Sequence, residues 1–462
     1  MKIYNTLNRE IGLFEPTTKN VKMYTCGPTV YHFAHIGNLR TYLMEDVLEK
    51  TLNFIGYKVD RVMNITDVGH LSSDADTGED KMLKGAKREQ VSVLDIAKKY
   101  TDAFKEDCKK LNIKWPDTVI PATTCIDDYI KFIEVLIDKG YGYLKGGNVY
   151  FDTSKLDDYY KLTNHLEDNL KEAVRDDVEV DENKKNKTDF VLWFTKSKFD
   201  SQELKWESPW GLGYPGWHIE CSVIALKYLG KHLDIHCGGV DNIFPHHTNE
   251  IAQSEAYLGH KWCDYWFHPE HLNDITGKMS KSKGEFLTLS LLEEKGYDPL
   301  IYRFYCLQSH YRKQLLFTFD NLEIAKTAYN KLKNKISSII DEGNLDDNAI
   351  NNYLSKFKSE LENDLNTANA ITVLYDVIKS DLNGASKVHL IKEFDKVLSL
   401  DLLKKDEIEN DLKSYIEEMI EKRIQAKKDK NYEEADKIRE ELLERNIVLK
   451  DTREGTTYEI IK

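Results

Sequence analysis

Proline is scarce in this chain, and after Pro299 it is missing altogether. The last third therefore lacks the residue that most strongly breaks helices, and glycines are few there as well. Long apolar runs are also missing. No stretch approaches the ~20 apolar residues that a membrane-spanning helix needs. The opening Met1-Lys2-Ile3-Tyr4-Asn5-Thr6 has no apolar run of signal-peptide length, so no secretory leader is expected. Seven cysteines occur without a single CxxC pair, which argues against a disulfide framework or a zinc ribbon and for a reducing cytoplasm. Positive charge is not in excess: 65 Lys and Arg face 79 Asp and Glu, for a formal charge of −14. That excludes a generally basic coat for nucleic acid and leaves room only for local basic patches. No internal repeat is present.

What is there is long enough for about three domains. Val21 to Cys26 reads as a buried strand, stopped by Gly27-Pro28. From Asn38 to Ile55, Leu39, Leu43, Val47, Leu48, Leu52 and Ile55 recur at helical spacing, and Gly56 ends that helix. Lys58 to Ile65 reads as a second strand. This strand–helix–strand opening predicts an α/β fold with a Rossmann-type parallel sheet. Further helices are expected over Ser92–Leu111 and Ile126–Ile137, from His218, and over Pro245–Leu258, with a strand at Leu233–His236. The pattern divides the chain into a first half of the core (1–114), an insertion (115–205), a second half of the core (206–270) and a connection (271–312). An α-helical bundle (313–404) and a small mixed α/β module (405–462) follow. The polar run Asp176–Lys187 reads as an exposed loop.

Ligands of such a sheet gather at the carboxyl ends of its strands. Cys26 ends the first strand. Cys221 lies one turn into the helix after Pro215-Gly216-Trp217-His218. His246 and Glu250, at i and i+4, share a helix face, from which His247 is expected to point away. Taken singly, each has an ordinary alternative: a small core thiol, or a surface His–Glu pair. Taken together they have the composition of a Cys2HisGlu zinc site. His35-Ile36-Gly37-Asn38, at a helix start, and the basic run Lys278-Met279-Ser280-Lys281-Ser282 suit phosphate binding. Gly238-Gly239-Val240-Asp241 follows a strand and would let a nucleoside approach the backbone, with Asp241 as an acceptor for ribose; an Asp in a turn is also an ordinary turn former.

The His35–Asn38 and Lys278–Ser282 segments resemble the two signatures of class I aminoacyl-tRNA synthetases. Tyr24-Thr25-Cys26-Gly27-Pro28-Thr29-Val30-Tyr31, Tyr214-Pro215-Gly216-Trp217-His218-Ile219-Glu220-Cys221-Ser222 and Phe244-Pro245-His246-His247-Thr248-Asn249-Glu250 resemble the signature segments of the cysteinyl branch of that class. The resemblance covers nearly the whole chain and extends past Asp451. It implies an enzyme that activates L-cysteine with ATP and Mg2+ and transfers it to tRNA(Cys). One Zn2+ per chain, held by Cys26, Cys221, His246 and Glu250, would bind the substrate thiol directly. It implies catalytic and ATP-binding roles for His35, Asn38, Lys278 and Lys281, with Gly239 and Asp241 also at ATP, and an amino-acid pocket lined by Thr66, Trp217, His218 and His236. Lys427, Tyr432, Asp436 and Asp451 would meet the anticodon. A monomer without membrane attachment is expected.

Three departures stand out. Asn38 replaces the usual second histidine and offers an amide but no positive charge. Tyr432 and Tyr458 stand where the family commonly has Trp, and Lys427 where it has Arg. After Asn64-Ile65-Thr66-Asp67, the segment continues through His70 into an acidic stretch, Asp74–Asp80, for which the residues suggest no role. Two other readings share parts of the pattern. A ligase joining activated cysteine to an amino sugar would lack the 405–462 segment, and a non-catalytic tRNA-binding relative would show broken motifs.

Overall fold

The computed structural model describes residues 1–68, 80–163, 181–196, 203–274, 277–278, 287–404, 410–452 and 455–460. His70, most of Asp74–Asp80, the first part of Asp176–Lys187 and Lys281 lie outside the described residues. Two units are present, Met1–Leu402 and Leu403–Lys462.

The first unit is built on a five-stranded parallel sheet. Its strands are β1 (Asn20–Thr25), β2 (Lys58–Ile65), β3 (Thr118–Pro121), β4 (Leu233–Cys237) and β5 (Cys263–Phe267), in the spatial order β3-β2-β1-β4-β5. All five residues of β4 are buried, as are Met63, Asn64 and Ile65 at the end of β2. Burial on both faces is what a parallel sheet covered by helices demands, and it accounts for their near-continuous apolar text. β3 lies beyond position 114, where the sequence alone closes the first half of the core. Its Thr-Val-Ile run supplies the β-branched residues that complete the edge, with Val62 opposite Thr118.

The chain order reverses between β1 and β4. β1 pairs with both neighbours, Tyr24 standing opposite Val62 on one side and His236 on the other. Such a reversal opens a crevice at the carboxyl ends of the two strands. Helix α1 (Ile36–Phe54) connects β1 to β2 and is capped by His35, whose Nδ1 accepts from the Asn38 amide at 3.1 Å. Gly56, at φ +103°, makes the turn into β2. Helix α2 (Lys81–Glu89), capped by Asp80, and helix α3 (Val93–Lys110), capped by Ser92, follow. Helix α4 (Ile126–Asp138) packs against α5 (Trp217–Leu229) and α6 (Thr248–Leu258), and Phe132, Ile224 and Ile251 join one apolar core with Trp262 and Trp266.

Three strands of the insertion, Gly142–Lys145, Asn148–Phe151 and Phe190–Phe194, form an antiparallel sheet with a fourth, Tyr214–Pro215, from beyond position 205. That last strand runs straight into α5 through Gly216. A Cβ there would lie 2.0 Å from the Val191 carbonyl oxygen, so only glycine permits this approach. The insertion thereby fixes where α5 begins.

Four longer helices, Phe319–Ser337, Asp347–Glu362, Thr367–Lys379 and Gly384–Leu398, make the expected bundle, with Phe357 stacked on Phe394 at its centre. Among the described residues the second unit has two helices, Asn410–Lys428 and Tyr432–Glu444, and an antiparallel pair, Ile447–Thr452 with Gly455–Ile460, around Ile416, Met419, Ile438 and Leu449. Among the described residues no helix is long and apolar enough to cross a membrane.

One buried cation ties the bundle to the core. Arg303 donates through Nη2 to Asp46 on α1 at 2.8 Å, through Nη1 to the Leu111 carbonyl at 2.9 Å, and through Nε to the Leu398 carbonyl at 2.6 Å. Asp46, although buried, is held below the usual carboxylate range by Arg303 and Lys50, which outweigh its desolvation. Arg303→Met would leave Asp46 and two carbonyls without this partner. It is expected to cost about 3–5 kcal/mol, read as a lower urea midpoint for the first unit, and a loss below about 1 kcal/mol would contradict the assignment.

Candidate active site and metal centre

The crevice between β1 and β4 collects side chains from three separate stretches of chain. Cys26 follows β1 directly, its amide donating to the Cys237 carbonyl at 3.1 Å. The adjacent Gly27 amide donates to Asn64 Oδ1 at 2.7 Å, and a Cβ on Gly27 would collide with the Asn64 carbonyl. Backbone contact with β2 therefore sets the direction of Cys26. Cys221 comes from α5. Glu250 lies on α6, and His246 on the turn that precedes it.

Cys26 Sγ is 3.7 Å from Cys221 Sγ and 3.8 Å from Glu250 Oε1, and His246 Nε2 is 3.1 Å from the same carboxylate oxygen. All four are buried, with ligand atoms within 4.8 Å of one another. A tetrahedral zinc ion with bonds of about 2.0–2.3 Å places neighbouring ligand atoms about 3.3–3.8 Å apart. The donor set fits that geometry. Burial holds the Cys26 thiol and the Glu250 carboxyl well above their ordinary pKa, and for Cys26 the nearby Cys221 adds to the effect. Three acidic groups share one dry space, and a divalent cation is the species that would let them ionise together.

His247 does not point away. Its Nε2 is 3.3 Å from Cys26 Sγ, and a second group, Cys26, His236, His247 and Glu250, is also within ligand distance. The expectation rested on regular α-helical spacing. That spacing, however, puts i+3 as well as i+4 on one face, so His247 reaches Glu250 Oε1 at 3.9 Å, just beyond a kink at the extended Phe244. The two groups share Cys26 and Glu250 and so describe one ion site. The set with two thiols is the softer and the better match for zinc. His236 Nε2 lies 2.9 Å from Glu250 Oε2, the oxygen turned away from His246, and His247 Nδ1 lies 2.7 Å from His268 Nε2. These partners orient the ligands. Burial lowers the pKa of both His236 and His268 to about 3, so they are neutral imidazoles at pH 7.

The residues assigned to the amino-acid pocket converge on the same place. Trp217 stacks on His246 with ring centres 4.0 Å apart, and His218 Nδ1 is 3.0 Å from His246 Nδ1. The Thr66 hydroxyl donates to Glu220 at 2.8 Å and accepts from Asn64 at 3.0 Å. On the nucleotide side, His35 caps α1, and its backbone bridges to Thr288. Asn38 is exposed. Gly239 faces Thr41 of α1, whose Oγ1 would be 3.6 Å from a Cβ at that position, while Asp241 Oδ1 would be 2.6 Å away. A side chain at Gly239 would thus fill the space beside Asp241. Lys278 pairs with Asn273 in a short antiparallel ladder. In the second unit Lys427, Tyr432 and Asp436 are exposed. Asp451 accepts from Arg423 Nη1 and Nη2 at 2.8 and 3.0 Å, from Lys427 Nζ at 2.9 Å and from Thr456 Oγ1 at 2.8 Å.

Sequence reasoning set His247 aside as pointing away, and it gave no role to Asn64, Glu220, His268 or Thr6, whose hydroxyl lies 2.7 Å from His268 Nδ1. Of these, His268 alone carried a signal, a histidine directly after a strand that ends beside the crevice.

Residues 13–327 match the family model described as tRNA synthetases class I (C) catalytic domain, and residues 356–402 match the DALR domain. A cysteine–tRNA ligase of Borreliella burgdorferi (strain ZS7) is 45% identical, with 99% of this chain and 98% of that protein aligned. The chain belongs to the cysteine–tRNA ligase family. A cysteine–tRNA ligase of Treponema denticola is 44% identical over 99% of both chains. Among solved structures, Mycobacterium tuberculosis methionyl-tRNA synthetase in complex with methionyl-adenylate superposes with a TM-score of 0.54 at 15% identity, covering 83% of this chain and 89% of the other. That likeness concerns the fold. As a cysteine–tRNA ligase, the chain is a class I aminoacyl-tRNA synthetase.

Cobalt titration, followed by thiolate-to-metal absorption, distinguishes the two ligand groups in this ligase. His246→Ala is expected to abolish the signal, whereas His247→Ala is expected to keep it with affinity lowered about 10–100-fold. The opposite pattern would make His247 the ligand.

Proposed function

We propose that the enzyme activates L-cysteine with ATP, passes the cysteinyl group to tRNA(Cys), and selects cysteine through a Zn2+ held by Cys26, Cys221, His246 and Glu250. The observation that carries this reading is the buried Cys2HisGlu cluster at the switch point of the sheet. Zinc bound there would supply a soft Lewis acid that favours a sulfur donor and its deprotonation over a hydroxyl.

In activation, an oxygen of the cysteine carboxylate attacks the α-phosphorus of ATP, and pyrophosphate leaves. A hydroxyl of the terminal ribose of tRNA then attacks the activated carbonyl, loses its proton, and AMP departs. The protein mainly positions groups and meets charge. His35 and the amide-rich start of α1 face the phosphates, with the Asn38 side chain as a neutral donor. Lys278 and Lys281 offset the charge that gathers on pyrophosphate, and Mg2+ arrives with the triphosphate. Gly239 leaves room for the adenosine, and Asp241 accepts from its ribose. Thr66, Trp217, His218 and His236 enclose the amino acid. Glu220 keeps the Thr66 hydroxyl oriented, and His236 does the same for Glu250. A steric pocket separates side chains that differ by one methylene by only about 1–3 kcal/mol, so recognition at sulfur removes the need for a separate editing domain.

The bundle (313–404) and the terminal module (405–462) belong to tRNA. Tyr432, 63% exposed, offers a stacking face, Asp436 an acceptor for base amino groups, and Lys427 a phosphate contact. Asp451 already has four donors, so it would read a base only after Lys427 or Thr456 lets go. All seven cysteines are free thiols, as suits a reducing cytoplasm. The whole candidate site comes from one chain, which suits a monomer.

ATP–pyrophosphate exchange tests the metal reading. Exchange is expected with cysteine, to be nearly absent with serine, and to vanish on zinc removal; cysteine exchange that survives complete zinc loss would overturn it. A second measurement tests the terminal module. Tyr432→Ala is expected to weaken tRNA(Cys) aminoacylation by about 1–3 kcal/mol in kcat/KM and to leave exchange unchanged, and equal losses in both assays would refute an anticodon role.

A further inference from the structure

Arg40 lies near the start of α1 and is wholly buried, and none of the chemistry described above uses it. Among the described residues no carboxylate pairs with it. Its guanidinium donates instead to four backbone carbonyls: through Nη1 to Glu270 and to His271, the latter at 2.8 Å, and through Nη2 to Lys313 at 2.7 Å and to His310 at 3.5 Å. Only Nε is left without an acceptor. Burying a cation without a counter-ion is costly, and an apolar side chain of similar volume would fill the same space without that cost. What the guanidinium adds is fixed geometry, since its planar donors hold several acceptors at once.

Those acceptors belong to the segments that place Lys278. Glu270 and His271 lead into the strand Leu272–Asp274, and His310 and Lys313 come just before Leu315–Leu316, its parallel neighbour. On its other edge the first strand pairs with Lys278, which stands opposite Asn273. The same strand packs on the start of α1, where a Cβ on Gly37 would lie 3.8 Å from Leu272 Cβ. Beyond Lys278 in sequence the chain is tied to α1 again, the Ile36 amide donating to the Leu287 carbonyl at 2.8 Å. Tyr302 adds to this end of the helix, its hydroxyl donating to the Ile36 carbonyl at 2.7 Å. His35, the cap of α1, stands about 7.5 Å along the helix axis from Arg40. From the helix that starts at His35, one side chain thus grips the strands that set where Lys278 lies.

We propose that Arg40 is a positioning residue for the activation step: it holds the strand that pairs with Lys278 at a fixed offset from His35, so that both groups meet the triphosphate together. This deepens the reading of the chain as an ATP-dependent, cysteine-activating enzyme and rests on it. A shift of about 1 Å between two groups that act on one transition state lowers a rate by about 100-fold. The thiol and imidazole cluster is held by α5, α6 and the end of β1, none of which Arg40 touches, so its geometry does not depend on this guanidinium.

The test is a double-mutant cycle in ATP–pyrophosphate exchange with the full-length protein. Arg40→Met should lower kcat by about 100-fold, and Arg40→Lys, which keeps the charge but cannot span both segments, by about tenfold. The KM for cysteine should change by less than about twofold, and cobalt–thiolate absorption should keep its wild-type form. In a Lys278→Ala background either change should lower kcat by less than about threefold further, because the lysine it positions is gone. If Arg40→Met does not fold, the Arg40→Lys cycle decides alone. Equal fold losses in the two backgrounds would overturn the proposal, as would a wild-type kcat in Arg40→Lys. A cysteine KM and a cobalt signal that fail in step with kcat would overturn it too, making Arg40 a general scaffold contact. A wild-type protein without cysteine-dependent exchange would instead overturn the function on which the proposal rests.

Discussion

The parallel pairing of Asn20–Thr25 with Leu233–Cys237 is the contact on which the rest of the site depends. Two strands about 200 residues apart in sequence lie side by side, with Tyr24 opposite His236 and the Cys26 amide on the Cys237 carbonyl. Because the chain order reverses there, the two following loops part instead of covering the sheet. Cys26 lines one side of the opening and Gly238-Gly239 the other. A Cβ on Gly238 would lie 2.7 Å from the His247 ring, so the histidine cluster and the nucleotide loop are packed against each other directly. The insertion contributes by fixing the start of the helix that carries Cys221.

Electrostatics then decide what this opening can hold. Several imidazoles, two thiols and a carboxylate are enclosed by Tyr24, Trp217, Trp262 and Trp266. Burial keeps His236, His247 and His268 neutral and opposes ionisation of Cys26, Cys221 and Glu250. An environment that resists every charge on its own donors gains most from a cation that those donors can share. The neutral histidines supply hydrogen-bonding nitrogens without competing for that charge, which is the role of His236 at Glu250.

Elsewhere, buried cations are matched in advance. Arg61 joins β2 to Glu45 and Glu49 of α1, and Arg303 joins α1 to the bundle. Burial still raises Glu45 to about 8, in spite of Arg61. The scaffold is locked by internal pairs, while polar groups in the crevice hydrogen-bond mainly to one another.

Much of this was legible in the residues. Helical spacing from Leu39 to Ile55, continuous apolar strands and the absence of proline after Pro299 each reflect a local rule, so the parallel core, the bundle and the small terminal module could be read directly. Cys26, Cys221, His246 and Glu250 could be nominated because of where they fall relative to strands and helix starts. Their convergence within 4.8 Å could not, since it follows from strand order. His247 was misjudged because i+3 shares a helix face with i+4, so both His246 and His247 reach Glu250. The edge strand Thr118–Pro121 was assigned to the insertion because four residues carry too little periodicity to show which sheet they join. Asp451 reads as an open acceptor in the sequence, and only folding brings Arg423, Lys427 and Thr456 onto its two oxygens. The sequence by itself determined the elements and the chemical types of the donors, because those depend on neighbours along the chain. Tertiary structure decided which donors meet and which are already satisfied, because those contacts join residues far apart in the chain.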